Sequence, residues 1–393
     1  MIRTALATAM LTIFALPAAA NEELSELKQL IELQKKQLAE LEKRLTVTES
    51  RLETTADALD SSEQQRPSST TIGGYGEVHY NNISNDKTGT TNKEIDFHRF
   101  VLFFGHEFSN KTRFFSELEL EHSIAGEGQN GEVELEQAYI EHDISQSLTG
   151  KAGLFLMPVG IINETHEPPT FYGVERNPVE KDILPATWWE AGAALNIKLA
   201  PGLALDTAIT SGLSTPTDGS NAFKPRSGRQ KVSEANANDL AYTARVKYTA
   251  VPGLELAATL QYQSDLTQGA ADMDDASAQL FTAHVIYSIE RFSVRALFAQ
   301  WDIEGQQAQE LGRDKQRGYY IEPAYRINDQ FGLFARYNQW DNNAGDQQDS
   351  KKTQTNVGVN YWLHENAVVK FDYEQRGGVD DANGFNLGVG YQF

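Results

Sequence analysis

The chain has 393 residues, no cysteine, and 55 acidic against 34 basic side chains, for a net charge of −21. That excess of negative charge is repelled by a phosphate backbone and excludes nucleic-acid binding. The missing thiols exclude disulfides, thiolate catalysis and cysteine-ligated zinc.

The first twenty residues read as an export signal. Arg3 precedes an apolar run from Ala5 to Leu16, and Pro17, Ala18, Ala19 and Ala20 supply small residues for cleavage after Ala20. The run is shorter than the roughly 20 apolar residues of a membrane-spanning helix, so a signal peptide over 1–20 is expected. From Leu24 a seven-residue repeat follows, with Leu24, Ile31, Leu38, Leu45, Leu52 and Leu59 in one position and Leu27 and Leu41 in the other. This predicts a coiled coil over 21–59, about 54 Å of helix at roughly 1.5 Å per residue. Gln34, Thr48 and Thr55 weaken its second seam. A self-associating helix predicts a homo-oligomer. Residues 60–71 are polar and read as a linker.

From residue 72 to 393 the pattern changes to period two. It is clearest at Tyr75, Glu77 and His79, at 117–121, 203–209, 240–248, 254–262, 331–337, 355–361 and 367–373. It is clearest of all at the C-terminus, where Phe385, Leu387, Val389, Tyr391 and Phe393 alternate with Asn386, Gly388, Gly390 and Gln392. Alternation puts one set of side chains toward lipid and the other toward a polar lumen, and a closed barrel is the only sheet a bilayer tolerates. Sixteen antiparallel segments are expected, with 94–107 ambiguous in facing. The fold class is an all-β transmembrane barrel of about 16 antiparallel strands, preceded by the helical coiled coil. Short turns at 109–111, 200–202, 251–253, 328–330 and 364–365 alternate with long polar connections near 81–93, 158–187, 212–238, 264–277, 303–316 and 342–353. Short periplasmic turns and long outer loops are the pattern of an outer-membrane barrel, and an even strand count predicts both termini in the periplasm of a Gram-negative cell. Tyrosines near segment ends, among them Tyr80, Tyr248, Tyr287 and Tyr391, are expected at the membrane interfaces.

The connection 158–187 carries Ile161, Ile162, Phe171, Ile183 and Leu184, too apolar to wave in water, and is predicted to fold inward and narrow the lumen. Around it, Gly153-Leu154-Phe155-Leu156-Met157-Pro158-Val159-Gly160, Asn163-Glu164-Thr165, Phe171-Tyr172-Gly173-Val174-Glu175-Arg176-Asn177 and Trp188-Trp189-Glu190-Ala191-Gly192 resemble the phosphate-selective porin O/P family, supported by Ile72-Gly73-Gly74-Tyr75-Gly76. The resemblance covers most of 72–393. It implies a trimeric 16-stranded porin whose third outer loop constricts the pore, with a short coiled coil ahead of the barrel and basic side chains selecting phosphate or polyphosphate.

The candidate constriction residues are Glu164, His166, Glu167, Tyr172, Glu175, Arg176, Glu180 and Lys181. Acids outnumber bases in this loop, so an acidic constriction is expected. Lumenal bases are expected at Arg99, Arg113, Arg245, Lys247, Arg295, Arg336 and Lys370, because charge on the lipid face would cost about 2–4 kcal/mol at mid-membrane. Lumenal acids are expected at Glu77, Glu117, Glu119, Glu121 and Glu190. Opposed charged walls orient small polar solutes. Passive diffusion of small hydrophilic solutes or ions is the expected function, with a phosphate or anion channel as the alternative and an outer-membrane enzyme or structural tether more remote. No catalytic motif is present, diffusion needs no cofactor, and the histidines show no spacing that predicts a metal site. Expected partners are outer-membrane lipid, lipopolysaccharide, small solutes and peptidoglycan through the coil.

Overall fold

A computed structural model describes residues 69–270 and 275–393, together with positions 32, 35 and 36. The signal peptide, nearly all of the expected coiled coil and the linker to residue 68 lie outside the described residues.

The sheet consists of β1 (Thr70–Asn85), β2 (Thr91–Ser109), β3 (Thr112–Glu121), β4 (Val133–Ser145), β5 (Leu148–Leu156), β6 (Trp189–Ala200), β7 (Leu203–Thr210) and β8 (Ala241–Tyr248). It continues with β9 (Leu254–Gln263), β10 (Ala278–Ile289), β11 (Phe292–Ile303), β12 (Lys315–Arg326), β13 (Phe331–Asp341), β14 (Lys352–His364), β15 (Ala367–Gly378) and β16 (Ala382–Gln392). Each strand pairs with its sequence neighbours, and β1 pairs antiparallel with β16 from Tyr75 opposite Gln392 to Asn85 opposite Ala382, closing a sixteen-strand barrel. Phe393 and Gly74 exchange backbone hydrogen bonds of 3.0 and 2.9 Å at the seam. Closure satisfies the backbone donors and acceptors that an open edge would leave bare in hydrocarbon.

Alternation becomes facing in β9, where Leu256, Leu260 and Tyr262 are exposed on the outside while Thr259, Gln261 and Gln263 are buried inside. The same rule puts Phe385, Leu387 and Val389 outward in β16. Two expected connections differ. The stretch 81–93 is mostly strand, with only residues 86–90 between β1 and β2. These strands have 16 and 19 residues against the roughly 9–11 that cross a bilayer, so their far ends stand clear of lipid and carry Asn and Thr on both faces, which resembles a loop in sequence. Conversely, residues 122–132 form a long connection that the polar run of β3 concealed.

The inner wall is not uniformly polar. Leu280, Leu297, Ala299, Trp301 and Ile303 of β10 and β11 point inward with Tyr320 of β12 and Trp340 of β13. They pack against Met157, Val159, Ile161, Val179, Ile183, Leu184 and Trp188 of the connection between β5 and β6, and against Leu213 and Phe223 of the connection between β7 and β8. The barrel therefore encloses a hydrophobic core whose two sides are its own wall and two inward loops.

Candidate functional site

The connection 157–188 crosses the lumen on fixed supports. At its base, Asn163 Nδ2 donates to the carbonyls of Met157 (2.8 Å) and Trp188 (2.9 Å), and its Oδ1 accepts from Trp188 N (2.7 Å), tying the two ends together. Glu190 accepts from Trp188 Nε1 and from Gly212 N, both at 2.9 Å, and so joins the bases of both inward loops. The chain then reaches the opposite wall. Pro168 abuts β16, where a Cβ added at Gly390 would lie 2.2 Å from the proline ring. Only glycine permits that approach. Lys370 Nζ sits 3.5 Å over the Phe171 ring, and Tyr172 is buried against Phe334 and Trp362. Arg295 donates to the Thr170 carbonyl (2.8 Å), and Arg336 to those of Tyr172 (3.3 Å) and Glu175 (3.1 Å). Asp372 accepts from Val174 N at 2.8 Å.

Most loop acids are spent on holding this path. Glu164 pairs with Arg245, which also reaches Asp206. His166 is buried beside Glu117. Glu167 precedes the turn Pro168–Thr170, and its side chain makes no capping bond there. Glu180 is 1 % exposed and accepts from Ile161 N and Ile162 N (2.7 Å each) and from the Tyr320 hydroxyl (2.7 Å). Gly160, at φ +67°, turns the backbone so that these amides converge. Glu175 accepts from Asn81 Nδ2 (3.0 Å) and lies 3.0 Å from His79 Nδ1. Burial favours its neutral form, but His79 outweighs burial and holds the carboxyl well below its usual range. Three of the five loop acids, Glu164, Glu175 and Glu180, are thus engaged in structural bonds.

Wall bases are engaged in the same way. Arg99 meets Glu77 at 2.9 Å and Glu119 at 3.7 Å, Arg113 pairs with Glu141 and Asp143, and Arg336 pairs with Glu322 at 3.2 Å. Lys247 is half-buried and inward-facing at the short-turn end of β8.

Cavities of about 450 and 320 Å³ are both bordered by Glu175, Arg176 and Lys181. The larger lies toward Asn81, Lys352, Glu374 and Arg376. The smaller has Glu77, Glu121, Glu134 and Glu136 with His79, His98 and His122 on its wall, and Arg176, Arg226, Arg229 and Lys231 on its loop side. Arg226, Arg229 and Lys231 come from the connection between β7 and β8, in the run Lys224-Pro225-Arg226-Ser227-Gly228-Arg229-Gln230-Lys231, which sequence reasoning passed over as part of a polar outer loop. Four cations in eight residues was the available signal. Lys231 pairs with Glu132 and Glu134. The guanidiniums end on neutral oxygens: Arg176 donates to Thr187 Oγ1 (2.6 Å), Arg226 to the Lys181 and Ala186 carbonyls (3.0 and 2.9 Å), and Arg229 to the Thr187 carbonyl. Burial and then the like charge of Arg229 push Arg226 down to about 10, so it keeps its charge at neutral pH. The opening thus sets an anion-attracting loop side against a carboxylate and imidazole wall.

A family model described as Gram-negative porin matches residues 208–381. An uncharacterized protein of Aquifex aeolicus (strain VF5) is 29% identical over 338 residues, covering 77% of this chain and 74% of that protein. Among solved structures, the anion-selective porin from Comamonas acidovorans superposes with a TM-score of 0.60 at 12% identity, over 83% of this chain and 100% of that one. The outer membrane protein OmpT of Vibrio cholerae in its trimer form gives 0.55 at 11%, over 84% and 100%. At these identities the structural likeness is one of fold.

Proposed function

We propose that the chain is an outer-membrane porin through which small hydrophilic solutes diffuse passively, with small anions favoured at its opening. The closed barrel and the porin-family match over 208–381 support the diffusion channel. The anion preference rests on Arg176, Arg226 and Arg229, whose hydrogen-bond partners are hydroxyl and carbonyl oxygens and not the carboxylates across the cavity. Charged rings at a constriction act on ions at close range. The same cluster keeps phosphate selectivity, implied by the resemblance to the O/P family, as the finer reading. No enzymatic step or cofactor enters this reading.

We place the short turns and both termini in the periplasm and the long loops outside, and a coiled coil over 21–59, as the heptads predict, would there assist a trimer or touch peptidoglycan. The trimer form of the Vibrio cholerae protein supports the oligomer by analogy of fold. Outward acids of the long loops would meet lipopolysaccharide through divalent cations.

The test is the reversal potential of single channels in planar bilayers under a KCl gradient, repeated with added phosphate. Chloride preference is expected, and block by low phosphate would extend it to the O/P specificity. Cation preference would overturn the anion reading, and absence of conductance the channel itself.

A further inference from the structure

Glu117 of β3, Glu136 of β4, which also borders the smaller cavity, and His166 of the inward loop come together at 1, 2 and 3 % exposure. Their nearest oxygen and nitrogen atoms all lie within 4.8 Å of one another. His166 Nε2 is 3.4 Å from Glu117 Oε1 and 3.8 Å from Glu136 Oε2. A buried carboxylate without a partner is costly, and Glu136 Oε2 has no hydrogen-bond partner. The histidine makes this sharper. Its Nδ1 lies 3.2 Å from the Asn163 carbonyl, which only an N–H can satisfy, so the neutral ring turns the lone pair of Nε2 toward two carboxylates. With the ring neutral that arrangement is repulsive, and either a proton on Nε2 or a cation between the three groups relieves it.

We propose that Glu117, Glu136 and His166 bind a first-row divalent cation such as Zn²⁺, which staples the constriction loop to β3 and β4. One imidazole and two carboxylates are a borderline donor set suited to zinc, manganese or iron. Bond lengths of about 2.0–2.2 Å to zinc put tetrahedral ligands roughly 3.4 Å apart, close to the observed 3.4 and 3.8 Å. Outer contacts fit as well. The Nδ1–H of His166 is held by a carbonyl, and Gln137 Nε2 donates to Glu117 Oε2 at 2.7 Å, fixing the orientation of both ligands. Sequence spacing hides the set, because its members are 19 and 30 residues apart.

The protein refolded from metal-stripped denaturant, equilibrated with Zn²⁺ and desalted, is expected to retain about one Zn²⁺ per chain by mass spectrometry of the elements. Co²⁺ in its place should give visible d–d absorption of a low-symmetry site. Glu136→Gln and His166→Gln should each reduce retention at least about tenfold. His122→Gln, which alters the separate Asp96, His98 and His122 group, should leave it unchanged. Failure of the wild type to retain Zn²⁺ or to give the Co²⁺ bands would overturn the proposal and leave an imidazolium ion pair there. Metal that persists in Glu136→Gln, or that is lost only in His122→Gln, would also overturn it. The Co²⁺ spectrum requires no variant and decides the matter if a substitution prevents folding.

Discussion

Arg176, Arg226 and Arg229 are bound by hydroxyl and carbonyl oxygens, which orient a guanidinium without cancelling its charge. Lys231, a few residues on, is neutralised by Glu132 and Glu134, and Arg245 by Glu164 and Asp206. The residue type is therefore a poor guide to what a passing ion feels, and the partner decides. A unit charge about 8 Å from an ion in water contributes on the order of 0.5 kcal/mol, roughly a factor of two in local concentration. Arg176→Gln is accordingly expected to lower the chloride-to-potassium permeability ratio by about two- to threefold with little change in conductance. The difference should shrink as salt is raised, because exposed charges are screened beyond about 3 Å at 1 M. Reversal potentials at two KCl concentrations measure both effects, and an unchanged ratio in the variant would remove Arg176 from the filter.

At the scale of elements, the controlling pair is the β10–β11 wall and the connection 157–188. Trp301 is 1 % exposed, stacks obliquely on Trp188 at 6.1 Å and donates its indole N–H to the Ile183 carbonyl at 2.9 Å. Trp301→Ala should cost about 3–5 kcal/mol as a large core truncation. It is expected to lower the temperature at which the folded barrel loses its compact band on unheated gels and to raise open-channel noise as the loop loosens. This pair also marks what was legible in the sequence. Strands such as β9 and β16, with lipid on one side and polar lumen on the other, announced themselves by alternation. β10 and β11 did not, because Leu280 beside Phe281, and Leu297 beside Phe298, are apolar on both faces. That loss of alternation was itself a sign that something apolar lies inside. Inward folding of 158–187 followed from its greasy residues, whereas the fate of its acids did not. Whether Glu180 faces water or four donors depends in part on Tyr320, 140 residues away. The contribution of 224–231 was equally hidden, since only barrel closure brings that run beside Arg176.

For the whole molecule, stability depends on two solvents, lipid outside and a filled interior. Leu260 is 61 % exposed on the outer face of β9. Leu260→Arg should cost about 2–4 kcal/mol if its level is the bilayer midplane, read as a lower urea midpoint for barrels folded into vesicles. An effect near zero would place that position at the membrane edge. The interior has a less obvious effect on engineering. Porins are commonly imagined as pipes with removable fittings, so that excising the fitting widens the bore. Here the fitting covers Leu280, Leu297, Trp301, Ile303 and Trp340, and cutting it out would line a water-filled tube with grease. An excision of 160–186 is expected to yield little folded protein by gel mobility, where a free-standing pipe would yield a channel of larger conductance. Widening this bore therefore calls for a second set of changes that make the uncovered staves polar, and the loop and those staves should be treated as a single inheritable unit.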